Sequence, residues 1–117
     1  MIVHPSRSEV WTVRLEPGTE GREQKGTRPC LILSVNKFNH GPADLVVVIP
    51  ITTAEKRIPS HVRVPKGEAG LTDDSFIKCE EVRCISKNRL IRPWGSVNPA
   101  TMARVEMSVK AILGLSN

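Results

Sequence analysis

Arg28 and Thr52 are the residues of this 117-residue chain best suited to chemistry on a phosphate. Arg28 ends a densely charged stretch and opens an apolar one, and Pro29 restricts the backbone on its far side. A guanidinium held there could clamp a phosphate through two parallel N–H donors. Thr52 and Thr53 end the apolar run 45–51. Side chains emerge at a rim in such places, and the hydroxyls and backbone N–H groups could donate to phosphate oxygens. Blander roles compete with these. Arg28 could pair with Glu23 or a backbone carbonyl at the surface, and Thr52 could satisfy its own backbone at a strand end. His61 is the one histidine in an expected strand and suits proton transfer near neutral pH, although a lone strand histidine is more often structural. Glu80-Glu81 resembles a carboxylate dyad, but adjacent strand residues point to opposite faces. Cys30, Cys79 and Cys84 have no metal-ligand spacing and read as reduced, partly buried thiols, so no metal site is expected. Glycine-rich phosphate loops, nucleophile elbows and HExxH helices are absent from the sequence.

The formal net charge of +5 favours a polyanionic partner. Four aromatic residues (Trp11, Phe38, Phe76 and Trp94), some of them needed in the core, argue against a platform that stacks several bases. An RNA ligand would be held mainly by arginine, lysine and hydroxyl groups. Metal-free RNA cleavage requires an activated 2′-hydroxyl, a protonated leaving oxygen and an electrostatically stabilised pentacovalent phosphate. The first residues lack an apolar signal core and no apolar run could cross a membrane, which sets the expectation of a cytoplasmic protein with no membrane partner.

The elements that must position these groups are short. Residues 10–15 alternate, with Trp11, Val13 and Leu15 on one face, and read as a half-buried strand. Residues 16–27 read as a long, charged surface loop of the kind that often carries function. Strands are expected at 30–34, at 45–52 (central, buried on both faces), at 60–64 and, as one longer strand, at 76–85. Residues 36–43 and 65–75 carry turn residues, and 86–91 could form a helical turn. A terminal helix starts at an Asn98 cap with Pro99 in its first position and stops at Gly114. Its apolar stripe is Met102, Val105, Val109, Ile112 and Leu113. The pattern predicts a single, mainly β domain: a small, curled, mostly antiparallel barrel of about five to seven strands with a C-terminal α-helix.

The order of these segments resembles the MazF/PemK toxins. Glu9-Val10-Trp11 with Leu15-Glu16-Pro17 looks like the family's opening, and Glu23-Gln24-Lys25-Gly26-Thr27-Arg28-Pro29 is similar to its E-Q-x-G-x-R-P. Leu31-Ile32-Leu33-Ser34 with Asn39 resembles V-L-S…N, Val48-Ile49-Pro50-Ile51-Thr52-Thr53 resembles V-x-P-x-T-[TS], and Pro59-Ser60-His61-Val62 resembles P-x-H-V. Glu80-Glu81-Val82-Arg83, Arg89-Leu90 and Gly95 onward complete a collinear match over nearly the whole chain.

The resemblance implies an SH3-like barrel that dimerises and binds single-stranded RNA along the dimer interface. It implies cofactor-free cleavage by 2′-hydroxyl attack, leaving a 2′,3′-cyclic phosphate and a 5′-hydroxyl. The matching catalytic positions are Arg28 and Thr52, with Glu23 in support; Gln24, Lys25, Ser34, Thr53, Lys56, Arg57, His61, Glu81 and Arg83 are candidates for RNA contact. Arginine is almost never deprotonated, so Arg28 fits a phosphate clamp and possible acid, while the base stays open between Glu23, His61 and none. The expected partners are a second copy of the chain and a MazE-like antitoxin whose acidic, disordered tail mimics RNA, with operator DNA reached only through the antitoxin complex. Three departures stand out: Ser8 where the family commonly has glycine, an extra residue between Pro17 and Glu23, and Glu81 in place of the usual glutamine. Two rivals on the same fold are a CcdB-like gyrase inhibitor, which would not need the Arg28 and Thr52 pair and would bind gyrase through the C-terminal helix, and an inactive nucleic-acid-binding regulator.

Overall fold

The computed structural model describes residues 4–15 and 26–115. Seven antiparallel strands, β1 (Glu9–Leu15), β2 (Gly26–Ile32), β3 (Leu45–Thr52), β4 (His61–Val64), β5 (Ser75–Lys78), β6 (Arg83–Ser86) and β7 (Leu90–Ser96), form one sheet. Two α-helices, α1 (Asn36–Asn39) and α2 (Pro99–Leu113), and three 3-10 turns complete the described elements. The strand order is β4-β5-β3-β2-β1-β7, with β6 also paired to β3. The sheet curls as expected of a barrel but does not close by strand pairing, because β4 and β7 stand at its two ends.

β3 is the hub because its run of β-branched residues suits burial on both faces. Val46 and Val48 enter one core with Trp11, Val13, Leu15, Cys30, Ile32, Ile85 and Leu90. Ile49 and Ile51 enter the other with Val10, Leu31, Val62, Val64, Ile77 and the α2 residues Met102, Val105 and Val109. Period-two alternation thus splits one strand between two cores.

The single strand expected at 76–85 is two strands, β5 and β6, separated by a 3-10 turn at Cys79–Glu81. Both lie along the same edge of β3, which offers Ile51 and Thr52 to β5 and residues 45–48 to β6. Leu33 N donates to Val47 O at 2.9 Å, so the odd-numbered backbone groups of β3 face β2 and the even-numbered ones face β5 and β6. Pro50 therefore withholds an N–H from the β5/β6 edge, and the turn spans that gap.

β7 was not foreseen. The helical turn expected at 86–91 is confined to Lys87–Arg89, and Leu90–Ser96 follows as a strand despite Pro93. Proline is tolerated on an edge strand, and register shifts against β1 between Val10 and Trp11 and between Thr12 and Val13 take up the irregularity. β2 begins at Gly26, earlier than its apolar residues predict, because Gly26 to Arg28 pair with Val13 to Leu15 of β1.

α2 has the expected caps. Asn98 Oδ1 accepts from Thr101 N at 2.9 Å, and Gly114 takes φ +69 as Leu115 N donates to Lys110 O at 2.9 Å. Met102, Val105 and Val109 of the stripe are buried, but Ile112 and Leu113 are 42% and 52% exposed. The helix runs past the sheet's edge there. Glu68, in the 3-10 turn Glu68–Gly70, secures the other end by accepting from Asn98 N (3.0 Å) and Thr101 Oγ1 (2.7 Å).

Candidate functional site

Arg28 sits opposite Val13 in the β1–β2 ladder, and Thr52 opposite Phe76 where β3 meets β5. The curl of the sheet brings the two into one recess of about 210 Å³, lined also by Pro29, Ile51, Thr53, Leu71, Thr72, Asp73, Ser75 and Trp94. Ile51 and Leu71 are buried and give it an apolar floor, while Arg28, Thr53, Thr72 and Asp73 are exposed. Thr52 Oγ1 accepts from Ala54 N at 3.1 Å. The self-capping role foreseen for this threonine is real, yet one accepted bond leaves the hydroxyl its proton to donate. Ser75 Oγ donates to Asp73 O (2.9 Å) and Thr72 Oγ1 to Asp73 Oδ2 (3.3 Å), fixing the turn that brings the Asp73 carboxyl group to the rim. A permanent cation, hydroxyl donors and a carboxylate around one small recess can together hold a phosphate, stabilise added negative charge and accept a proton.

The other expected site residues are dispersed. Glu23, Gln24 and Lys25 lie outside the described residues. Thr53, Lys56 and Arg57 are exposed on the stretch after β3, Thr53 at the recess itself. Ser34 is engaged internally: its hydroxyl bonds Asn39 Oδ1 and accepts from Val47 N at 2.9 Å, while fully buried Asn39 returns a bond to Ser34 O at 2.8 Å. Glu81 bridges Lys78 (2.5 Å) and Arg83 (3.0 Å), and all three side chains are largely buried.

His61 faces away from the Arg28 recess. Its Nε2 lies 2.8 Å from Glu80 Oε2, its side chain is 3% exposed, and its buried Nδ1 has no hydrogen-bond partner. It lines a separate groove of about 700 Å³ between β4 and α2, with Pro59, Val62, Met107 and Ile112 among its neighbours. Burial raises the Glu80 carboxyl pKa, but bonds from Ser60 (2.6 Å), its own backbone N–H and His61 outweigh it, and the net shift is downward. Glu80 and Glu81 do diverge, through the 3-10 turn and not through strand alternation. Asp74, whose carboxylate accepts from Lys66 N and Arg63, is held below its usual range. Burial pushes the Cys30 thiol up to about 12 and the Cys79 thiol up to about 11, whereas Cys84 is exposed. Among the described residues no group of three or more His, Cys, Asp or Glu side chains is placed to hold a metal ion, and no helix is long and apolar enough to cross a membrane.

Sequence reasoning missed Asp73, Ser75 and Trp94 at the recess. Asp73 and Ser75 stood in a stretch marked only as turn, and Trp94 in an element not recognised as a strand. No local pattern ties them to Arg28.

Residues 6–113 match the family model for the PemK-like, MazF-like toxin of type II toxin–antitoxin systems. The chain is 31% identical over 114 residues to the endoribonuclease MazF9 of Mycobacterium tuberculosis, covering 93% of this chain and 96% of that one. It is 31% identical over 112 residues to the endoribonuclease MazF of Staphylococcus epidermidis, covering 95% and 92%. Among solved structures, MazF from Deinococcus radiodurans superposes with a TM-score of 0.85 at 22% identity, over 97% of this chain and all of that one. A mycobacterial endoribonuclease in complex with its cognate antitoxin superposes with a TM-score of 0.76 at 26% identity, over 99% of each chain. With the family model spanning almost the whole chain and two relatives above 30% identity, this protein belongs to the PemK-like, MazF-like toxins of type II toxin–antitoxin systems.

Proposed function

We propose that this toxin is an endoribonuclease that cuts single-stranded RNA, messenger RNA included, at the Arg28–Thr52 recess and needs no metal. The observation that carries this reading is the meeting of Arg28 and Thr52, from different strands, with Asp73 in one recess of about 210 Å³. The 2′-hydroxyl oxygen attacks the adjacent phosphorus as its proton leaves to a carboxylate, and the bond from phosphorus to the 5′-oxygen breaks as that oxygen takes a proton from solvent. The products are a 2′,3′-cyclic phosphate and a 5′-hydroxyl. Arg28 stays charged throughout, so it serves as the clamp that meets the growing negative charge, with the Thr52 hydroxyl donating beside it. Asp73 is the carboxylate that the described residues bring to the recess, and it joins Glu23 as a candidate to receive the 2′ proton. His61 is withdrawn from that role, because Glu80 and the groove beside α2 occupy it.

The toxin works in the cytoplasm as a homodimer, neutralised by an antitoxin with an acidic, disordered segment that competes with RNA for the basic surface. That complex, not the toxin alone, contacts operator DNA. The dimer forms through the β4 edge and the adjoining face of α2, where Met107 and Ile112 are 73% and 42% exposed.

The decisive experiment incubates the purified protein and its Arg28→Ala variant with long single-stranded RNA in EDTA and maps the ends. Discrete cuts bearing 5′-hydroxyls are expected for the parent, with at least a hundred-fold loss in the variant. Because Arg28 is exposed, its removal leaves the melting temperature nearly unchanged. Equal cutting by the variant would refute the site, and no cutting by the folded parent would refute the activity.

A further inference from the structure

We infer that Trp94 stacks on the nucleobase beside the cleaved phosphate and that the recess on its other side, with Arg92, selects a purine there. This assignment rests on the ribonuclease reading and names a specificity subsite within it. A second recess, of about 340 Å³, adjoins the one that holds Arg28 and Thr52 and is lined by Gly70, Thr72, Arg92, Pro93 and Trp94. Trp94 and Thr72 line both recesses, so the two cavities share a wall. A phosphate held at Arg28 would therefore deliver its neighbouring nucleoside to the indole.

Of the four aromatic residues, Trp11 is buried in a core, Phe76 is buried on β5 and Phe38 belongs to α1. Trp94 is half-buried and lines both cavities. Its position is rigid. Trp94 Nε1 donates to Thr12 Oγ1 at 2.5 Å, which locks the ring against β1. Its backbone is pressed against the 3-10 turn at Glu68–Gly70, where a Cβ on Gly70 would stand 2.7 Å from Trp94 O. That turn is in turn bonded through Glu68 to the start of α2. A platform fixed before binding loses little conformational entropy when a base stacks on it.

The preference for a purine follows from two features. A purine offers a larger π-face to the indole, and its edge carries N7, an acceptor that pyrimidines lack and that in guanine pairs with O6 to take both donors of an arginine guanidinium. Arg92 is exposed at the second recess and supplies that donor. A multi-base platform remains excluded by composition; one tryptophan serves one base.

The test compares the parent with Trp94→Phe, Trp94→Ala and Arg92→Gln in two measurements. Cleavage of a random-sequence RNA pool should show a purine flanking the cut for the parent. Trp94→Phe, which keeps a ring, should keep that bias and stay within about threefold in KM. Trp94→Ala should raise KM about tenfold or more, with a smaller effect on kcat, and lose the bias. Arg92→Gln, a change at an exposed position, should weaken the bias by raising KM for purine-flanked sites while leaving pyrimidine-flanked sites nearly as they were. The second measurement is tryptophan fluorescence during titration with 2′-deoxy oligonucleotides, which cannot be cut. Quenching is expected for the parent, stronger with purine than pyrimidine oligomers, and absent in Trp94→Phe, which still carries Trp11. If Arg28→Ala abolishes cutting while Trp94→Ala leaves KM and bias unchanged, the activity stands and this inference fails. Fluorescence of the parent that no oligonucleotide alters would overturn it whether or not the protein cuts RNA.

Discussion

Ser8 has a φ of +80, a left-handed conformation that disfavours any residue with a Cβ by roughly 1–2 kcal/mol. The backbone holds it there: Ser8 N donates to Ile32 O at 3.0 Å, and Ser8 O accepts from Val97 N at 2.9 Å. Ser8 is also the position at which the sequence reading noted serine in place of a glycine, the residue that this backbone conformation favours. Replacing Ser8 with Gly should stabilise the protein by up to about 1 kcal/mol, since relief of strain exceeds the added unfolded-state entropy of glycine. Thermal unfolding would show a melting temperature a few degrees higher; a lower one would mean that the serine side chain makes a compensating contact. At the same scale Arg28 and Thr52 could be singled out as candidates because Arg28 stands with Pro29 where an apolar run opens and Thr52 stands where another ends. Asp73 and Trp94 could not, because their relevance depends on which recess they line and neither stands in a motif.

The terminal helix shows how far an element can be read from its own residues. Asn98, Pro99 and Gly114 act locally, on backbone groups of the same helix, so the expected ends were found. Asn98→Ala should cost about 1–2 kcal/mol, toward the upper end for a cap, because Asn98 also donates through Nδ2 to Glu68 Oε1 at 3.2 Å. Urea unfolding measures this directly, and a loss below about 0.3 kcal/mol would show that the cap and its Glu68 tether are dispensable. The strand expected across residues 76–85 failed for the opposite reason. Its composition supports a strand throughout, and the break comes from Pro50, which lies on the neighbouring strand and removes the donor the ladder needed.

For the whole molecule, the groove between β4 and α2 pairs an unpaired strand edge with the exposed end of the helix's apolar stripe. Met107 touches solvent over 73% of its surface, so Met107→Asp should leave the monomer fold unharmed and place two like charges in a twofold interface. Sedimentation of the parent should give a dimer and of the variant a monomer, with the circular dichroism of the two superimposable. A variant that stays dimeric would move the interface to another surface. Cleavage should fall with dissociation if the RNA groove spans both copies.

The sequence by itself determined the β-rich class, the hub strand and the capped helix, because periodicity, caps and proline boundaries act over a few neighbouring residues, and it offered Arg28 and Thr52 as candidates for the site. It also determined the family, through the collinear order of short motifs. Tertiary structure alone decided that Gly26 to Arg28 extend β2, that Leu90–Ser96 is a strand, and that His61 turns to Glu80 and away from Arg28. It alone gathered Asp73 and Trp94 beside Arg28 and Thr52. Those outcomes depend on which backbone donors a neighbouring strand leaves unpaired and on where the curled sheet turns its faces, and no local pattern in the chain encodes either.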